Sequence, residues 1–436
     1  AYTFLRESAP LLEQSGFGVL VPPWWQKAYA RLGVKLKMKA KAGAASLGLM
    51  GLDSIVEYDW TVAVGDTTLS AKEFENLVRL KIPLVKIRGQ WVELRPEEIE
   101  KAIAFLKKKH SNGQMSLGEA LRTGLGREQS ELGLPVLDVE GEGWISDLLE
   151  HLSDGTKIAQ IDTPGTFQGK LRPYQLRGTS WLAYLTQFGL GGCLADDMGL
   201  GKTIQLITLL LHDREVDKSE DTARRNPTLL ICPMSIVGNW HRELQRFAPS
   251  LKVMIHHGHE RLSGAAFVEE AMRNDIVITT YSLALRDREH LASVEWEYVV
   301  VDEAQNIKNE AAKQSQAIKA LNSRHKIALT GTPVENRLSE LWSIMEFLNP
   351  GYLGSATAFR QQFAVPVERY HDADRAETLK RVIQPFVLRR LKTDKSIIAD
   401  LPDKMEMRVF CNLTQEQATL YEAVVKEMME KIEESE

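Results

Sequence analysis

Residues Gly192–Leu211 read GCLADDMGLGKTIQLITLLL, and the fold of the whole chain is decided there. A short apolar strand, Gly192 to Ala195, runs into a turn containing Gly199 and Gly201, and Lys202-Thr203 then opens an apolar helix. In that order the parts make a phosphate loop. Glycines let backbone N–H groups close around phosphates, and a helix N-terminus adds positive potential. Met198, Gly199, Leu200, Gly201, Lys202 and Thr203 are therefore expected to hold ATP, with Lys202 reaching the β- and γ-phosphates and Thr203 ligating Mg²⁺. Strict loop spacing would place glycine at position 196, where this chain has Asp196. A Gly-rich turn with an incidental lysine is the plainer alternative, and the strand and helix on either side argue against it.

Working outward, the chain from Lys170 to about Leu348 alternates short apolar runs with segments of helical period. That pattern predicts a parallel sheet covered on both faces, a RecA-like α/β fold of the P-loop NTPase kind. Strands are expected at Gly192–Ala195, Thr228–Cys232, Lys252–His256, Asp275–Thr279, Tyr298–Val301 and Lys326–Leu329. Helices are expected at Thr203–His212, Ile236–Phe247, Ala311–Leu321 and Leu338–Leu348. Asp302-Glu303-Ala304-Gln305 follows the fifth of these strands, where parallel sheets place ligand sites. Asp302 is expected to hold Mg²⁺ through water and Glu303 to polarise the attacking water, so that Lys202, Asp302 and Glu303 form the catalytic set. Thr330-Gly331-Thr332-Pro333 also follows a strand, and its two hydroxyls suit a loop that senses the nucleotide. Gln305, Thr330 and Thr332 are the expected coupling residues.

The boundaries follow from composition. Residues 1–152 read as a smaller α+β accessory domain, 153–169 as an exposed linker with three Gly and a Pro, 170–384 as the RecA-like lobe, and 385–436 as an incomplete second-lobe start or helical extension. Asp213 to Pro227 (DREVDKSEDTARRNP) reads as a solvated insertion. Val34 to Ala40 alternates apolar residues with lysines, a half-buried strand with a basic outer face. Arg31, Lys35, Lys37, Lys39 and Lys41 occur with no acid between Ala28 and Leu52. A phosphate-contacting strand is one reading of that run, and a solvated strand face is the better one. Trp24 and Trp25 fit packing of the accessory core better than partner docking.

With 44% hydrophobic residues, 26% charged residues and a mean hydropathy of -0.23, the chain reads as soluble and globular. No run approaches the roughly 18–20 apolar residues of a membrane helix. The three cysteines, Cys193, Cys232 and Cys411, are far apart, which suits a reducing compartment and no zinc site. A net charge of -5 does not announce a nucleic-acid binder, but a motor touches only the phosphates in its groove, and acids elsewhere outweigh a local basic stripe.

The motifs LRPYQLRG (Leu171 to Gly178), LADDMGLGKT (Leu194 to Thr203), ICPMSIVGNW (Ile231 to Trp240), ITTYS (Ile278 to Ser282), VDEAQNIKN (Val301 to Asn309), LTGTPVENRLSELW (Leu329 to Trp342) and FVLRRLKTD (Phe386 to Asp394) together resemble the Swi/Snf-type family of chromatin-remodelling ATPases, within superfamily two of helicase-like motors. DEAD-box RNA helicases resemble the chain only in part. The resemblance implies an ATP- and Mg²⁺-dependent translocase on double-stranded DNA that remodels DNA–protein complexes. It implies Gln175 as an adenine contact and Pro233, Ser235, Thr279 and Thr280 as residues gripping the DNA backbone. Trp240 and Tyr281 fall in the same motifs, with packing the better reading for Trp240. The first 150 residues resemble the accessory domain of bacterial and archaeal members, which implies a monomer in the prokaryotic cytoplasm, associated with the nucleoid, and a protein partner for that domain. A true helicase, and a nucleotide-gated scaffold recruiting RNA polymerase or another DNA-bound partner, are the alternatives. In the family a second lobe supplies an arginine finger, and without it this chain is expected to bind ATP but to be nearly inactive in hydrolysis.

Overall fold

In the computed structural model of the chain, the described residues are 4, 8–21, 32–40, 51–64, 67–80, 84–87, 90–93, 96–107, 112–126, 134–216, 226–310, 312–333, 337–394 and 413–433. Trp24, Trp25, Arg31, Lys41, Cys411 and residues 217–225 of the charged insertion lie outside them. The chain divides into one unit from Ala1 to Leu391 and another from Lys392 to Glu436.

The accessory part of the first unit contains β1 (Leu32–Ala40), β2 (Ile55–Val64), β3 (Thr67–Thr68), β4 (Leu84–Ile87), β5 (Gln90–Glu93), β6 (Asn112–Ser116) and β7 (Val136–Gly141). Its sheet runs β3-β2-β1-β7, with β6 also on β2, while β4 and β5 form a hairpin. Leu32, Val34, Leu36 and Met38 alternate along β1 and are fully buried. The lysines between them meet acids: Lys35 lies 3.4 Å from Asp138, and Lys37 and Lys39 lie 3.0 and 3.3 Å from Glu142. The basic face is thus matched by β7, the parallel neighbour of β1, and by the turn after it. Sequence could not foresee this, because the acids are a hundred residues away.

The lobe adds β8 (Gly192–Leu194), β9 (Thr228–Cys232), β10 (Val253–Ile255), β11 (Ile276–Thr280), β12 (Trp296–Asp302), β13 (Ser323–Leu329) and β14 (Val387–Leu388). All seven are parallel, in the order β10-β11-β9-β12-β13-β8-β14. Every residue of β9 and β11 is buried, as a sheet covered on both faces requires, and each large apolar side chain so buried contributes about 1.5–3 kcal/mol. The order β9-β12-β13-β8 puts two strands between the first lobe strand, β8, and the second, β9. The crevice at such a reversal, at the C-terminal strand ends, is where open α/β sheets bind ligands.

Three expectations change. The lobe does not end at 384, because β14 pairs with β8 through Val387↔Cys193 and Leu388↔Leu194. A two-residue strand is too short to carry a periodicity. The 153–169 segment is a fastened strap: Gly165 N and Thr166 N donate to the Glu215 carboxylate at 3.0 and 2.9 Å, Gln168 N donates to the Phe247 carbonyl, and Phe167 stacks on Phe247. The start of the charged insertion is also engaged, since the helix Lys202–Val216 carries Asp213 to Tyr298, Arg214 to Asp275 at 2.6 Å, and Glu215 to the strap.

Accessory and lobe residues share one core: Leu36, Met38, Leu117 and Ile145 belong to the same apolar cluster as Trp181, Leu182 and Phe188. Trp144 stacks on Phe188, and Arg122 reaches the Tyr352 carbonyl. In the second unit the described structure is the helix Gln415–Glu433.

Candidate nucleotide and metal site

The loop that the sequence predicts to hold phosphates leaves β8 and enters the helix Lys202–Val216. Gly199 and Gly201 take φ of 84° and 81°, a region open to glycine at no steric cost. At Gly201 a Cβ would also lie 2.4 Å from Gln175 Nε2. Lys202 Nζ donates to the Asp196 carbonyl at 2.7 Å, across the mouth of the loop. Leu200 is fully buried and Met198 is exposed, so the loop is pinned from below at one residue and open above at the other. The Leu200 carbonyl is held twice, by Tyr174 Oη at 3.1 Å and Gln175 Nε2 at 3.2 Å. Gln175, expected at an adenine, is 6% exposed, and its Oε1 accepts from Arg172 N at 2.9 Å. Both ends of its amide are engaged, one closing a capping box and the other bracing the loop.

Asp302 ends β12 and is 8% exposed. Its Oδ2 accepts from Trp240 Nε1 at 2.7 Å and its Oδ1 from Glu303 N at 2.9 Å, while Tyr281 Oη donates to its carbonyl at 2.7 Å. Burial pushes its carboxyl up to about 6, and the charge of Glu303 pushes the same way; the Trp240 hydrogen bond and the nearby Lys202 oppose them. Glu303 adopts a left-handed backbone, φ 55° and ψ 59°, which costs a residue with a Cβ about 1–2 kcal/mol. Strain of this kind gathers at functional sites. Its Oε2 accepts from Gln305 Nε2 at 2.8 Å, Gln305 Oε1 accepts from Thr330 Oγ1 at 3.0 Å, and Thr330 Oγ1 accepts from Thr332 N at 3.1 Å. The four residues form one continuous chain from the Glu303 carboxylate, just after β12, to the turn after β13.

The donor chemistry suits Mg²⁺. That ion takes few protein oxygens and completes its shell with water and substrate phosphates. Thr203, in the first turn of the loop helix, and Asp302 offer a hydroxyl and a carboxylate. Among the described residues no group of three or more His, Cys, Asp or Glu forms a protein cage for a metal. A cation beside Asp302 would offset the buried charge that Glu303 makes more costly.

A family model described as SNF2-related domain matches residues 174–436, and a second, described as SNF2 Helicase protein, matches residues 1–125. The chain belongs to the SNF2-related family. Of the similar proteins, YwqA of Bacillus subtilis is 39% identical over 98% of this chain. The TATA-binding protein-associated factor MOT1 of Saccharomyces cerevisiae is 35% identical over 69% of it. The chain spans 47% of the length of the first and 17% of the second. The SWI2/SNF2 ATPase core of Sulfolobus solfataricus, solved in complex with double-stranded DNA, is 46% identical over 63% of this chain and 56% of that one, with a TM-score of 0.50. The RecA-like α/β fold expected from the sequence is the fold of this SNF2-related lobe.

Within the SNF2-related lobe, the residues expected to grip DNA do not share one environment. Pro233 caps the helix Met234–Phe247, and Ser235 on its first turn is exposed. Thr280 caps the helix Tyr281–Arg286 and is 6% exposed. Thr279 departs from the expectation: it is fully buried, and its hydroxyl donates to the His256 carbonyl at 3.2 Å, into the sheet. Its position on β11 sends alternate side chains to opposite faces, so adjacent threonines cannot both face one ligand. Trp240 and Tyr281 are buried, as packing predicts, and both also hold Asp302. Sequence contained the signal for this second role, since a buried indole N–H or phenol needs a partner.

Proposed function

We propose that this chain is the ATP-binding part of an ATP-dependent translocase on double-stranded DNA, acting on DNA–protein complexes. The observation that carries the reading is the chain Glu303–Gln305–Thr330–Thr332, which joins the residue suited to polarise the attacking water to a neighbouring strand-end loop. A motor needs such a connection. ATP cleavage does mechanical work only if the state of the phosphates biases the placement of a second element. The likeness to a DNA-bound SWI2/SNF2 core supports DNA as the track.

Lys202 then neutralises the β- and γ-phosphates, Thr203 and Asp302 hold Mg²⁺, and Glu303 orients the water. Bound Mg²⁺ supplies charge neutralisation between the phosphate oxygens. Because Lys202, Thr203, Asp302 and Glu303 all come from one sheet, the 436-residue chain alone turns ATP over slowly; an arginine finger elsewhere is worth about 10³–10⁵ in turnover. No helix among the described residues is long and apolar enough to cross a membrane, and we place the protein as a monomer in the prokaryotic cytoplasm, on the nucleoid.

The deciding experiment uses the longest form of the protein. A translocase displaces a triplex-forming strand in an ATP-dependent way without separating the duplex, and Lys202→Ala abolishes it. Duplex unwinding would favour a true helicase. Full biological activity in Lys202→Ala would favour a scaffold instead.

A further inference from the structure

Arg390 stands two residues beyond the end of β14 and is 6% exposed. The strand's hydrogen bonds continue past Leu388: Ala195 N donates to the Leu388 carbonyl at 2.7 Å and Asp197 N to the Arg390 carbonyl at 3.1 Å. Residues 388–390 therefore run along the first half of the phosphate loop. From this track the guanidinium turns inward. Its Nε donates to Asp196 Oδ1 at 2.9 Å, and its Nη2 donates both to Asp196 Oδ2 and to Gln205 Oε1, the latter at 2.7 Å. Nη1 donates to the Tyr174 carbonyl, and the guanidinium lies 5.1 Å from the Tyr174 ring centroid.

Asp196 and Gln205 are fully buried. Gln205 Nε2 donates to Asp196 Oδ2 and to the Gly201 carbonyl, each at 3.2 Å. The beginning and end of the phosphate loop are thus tied to each other and to Arg390. Gly178 makes room for the knot, since a Cβ there would lie 1.9 Å from Gln205 Oε1 and 2.7 Å from Arg390 Nη2. The next-door Arg389 points the other way, its Nη1 3.5 Å from the Gly331 carbonyl in the turn after β13. The departure from strict loop spacing at position 196 has its reason here. Glycine would leave the guanidinium without its carboxylate.

We propose that Arg390 is a positioning residue for Mg-ATP binding. It acts through Asp196 and Gln205 as a clasp between the phosphate loop and the strand by which the chain leaves the lobe. The role rests on the reading of this lobe as an ATP site. Bidentate geometry makes the clasp specific to arginine, because a lysine offers a point charge in place of a fork. A buried pair also resists partial opening, since separation leaves a charge uncompensated. By linkage, nucleotide in the loop and order in residues 387–391 must favour each other equally.

Amide hydrogen exchange on the 436-residue chain without nucleotide tests the clasp directly. In Arg390→Lys, amides of Ala195 to Gly201 should exchange about tenfold faster or more while the helix Leu338–Leu348 is unchanged. Asp196→Asn is the milder second variant and should give the same local pattern. No change at 195–201, or an equal rise throughout the lobe, would overturn the proposal. With Mg²⁺ and ATPγS, Arg390→Lys should bind about tenfold more weakly, and in the unmodified chain the nucleotide should slow exchange at 387–391. Protection of the loop without protection of 387–391 would also overturn it. If the unmodified chain binds no Mg-ATPγS, the ATP reading fails, and the clasp stands or falls on the nucleotide-free comparison.

Discussion

Asp302 has to be ionised to ligate a cation, yet its place at the end of β12 removes it from water and sets Glu303 beside it. Its folded pKa, about 6, lies above the ordinary 3.8. A raised carboxyl pKa means that ionisation costs stability: the penalty is absent below the ordinary value, grows between 3.8 and about 6, and is complete above that. The gap corresponds to about 3 kcal/mol. Asp302→Asn should therefore make the nucleotide-free chain more stable at pH 8, by about 1–2 kcal/mol once the loss of one acceptor for Trp240 or Glu303 N is subtracted, and denaturant titration measures this. A destabilised Asn variant at pH 8 would contradict the assigned cost. For the unmodified chain, affinity for Mg-ATP should fall about tenfold per pH unit below about 6, since a proton competes with the metal. Trp240→Phe keeps the packing and removes the donor to Oδ2, so the midpoint of that pH dependence should move upward by up to about one unit. An unmoved midpoint would mean that Trp240 only packs.

At the scale of elements, the proposed chemistry falls at strand ends, and the strands between are scaffold. β8, β12 and β13 deliver the phosphate loop, the acidic box and the Thr330 turn to the same edge of the sheet, and β14 locks the outer flank. The strap 153–169 is held to the lobe by the Phe167–Phe247 stack, by Gln168 N on the Phe247 carbonyl and by one carboxylate. Glu215 accepts from Gly165 N, Thr166 N and Thr166 Oγ1 within 3.0 Å. Glu215→Ala leaves these donors without their partner. It should cost about 1–3 kcal/mol and expose the strap to trypsin at Lys157 or Lys170 before the lobe itself unfolds. Limited proteolysis resolves the order; simultaneous loss of strap and lobe would show that Glu215 is not the fastening.

For the whole molecule, the balance of -5 charges sets a constraint on any DNA interaction. Attraction cannot come from net charge, so on the proposed reading it comes from local donors at the strand ends. Binding should then weaken with salt by about 0.9 in log affinity per log salt for each phosphate neutralised, with little dependence on sequence. Fluorescence anisotropy on unrelated duplexes across a salt series gives the slope. A flat response would remove the sheet edge as the track. The shared core joining Leu36 and Met38 to Trp181 and Phe188 couples part of the accessory sheet to the lobe, while Leu32, Val34 and Phe74 belong to a second cluster within the accessory part.

The sequence alone determined the lobe. Runs such as TLLIC and IVITT read as buried parallel strands, and GLGKT, after the short run GCLA, forms a turn that favours glycine. It also singled out Lys202, Thr203, Asp302 and Glu303 as the residue types that phosphate and Mg²⁺ chemistry would use. What it could not determine were partnerships between residues far apart along the chain. The acids facing the β1 lysines, the Trp240 grip on Asp302, the inward turn of Thr279, the last strand at Val387–Leu388 and the Arg390–Asp196 pair were decided by tertiary structure. Periodicity reports which face of an element is buried. It carries no information about which distant polar group will meet a buried donor or charge, and only the packed fold supplies that partner.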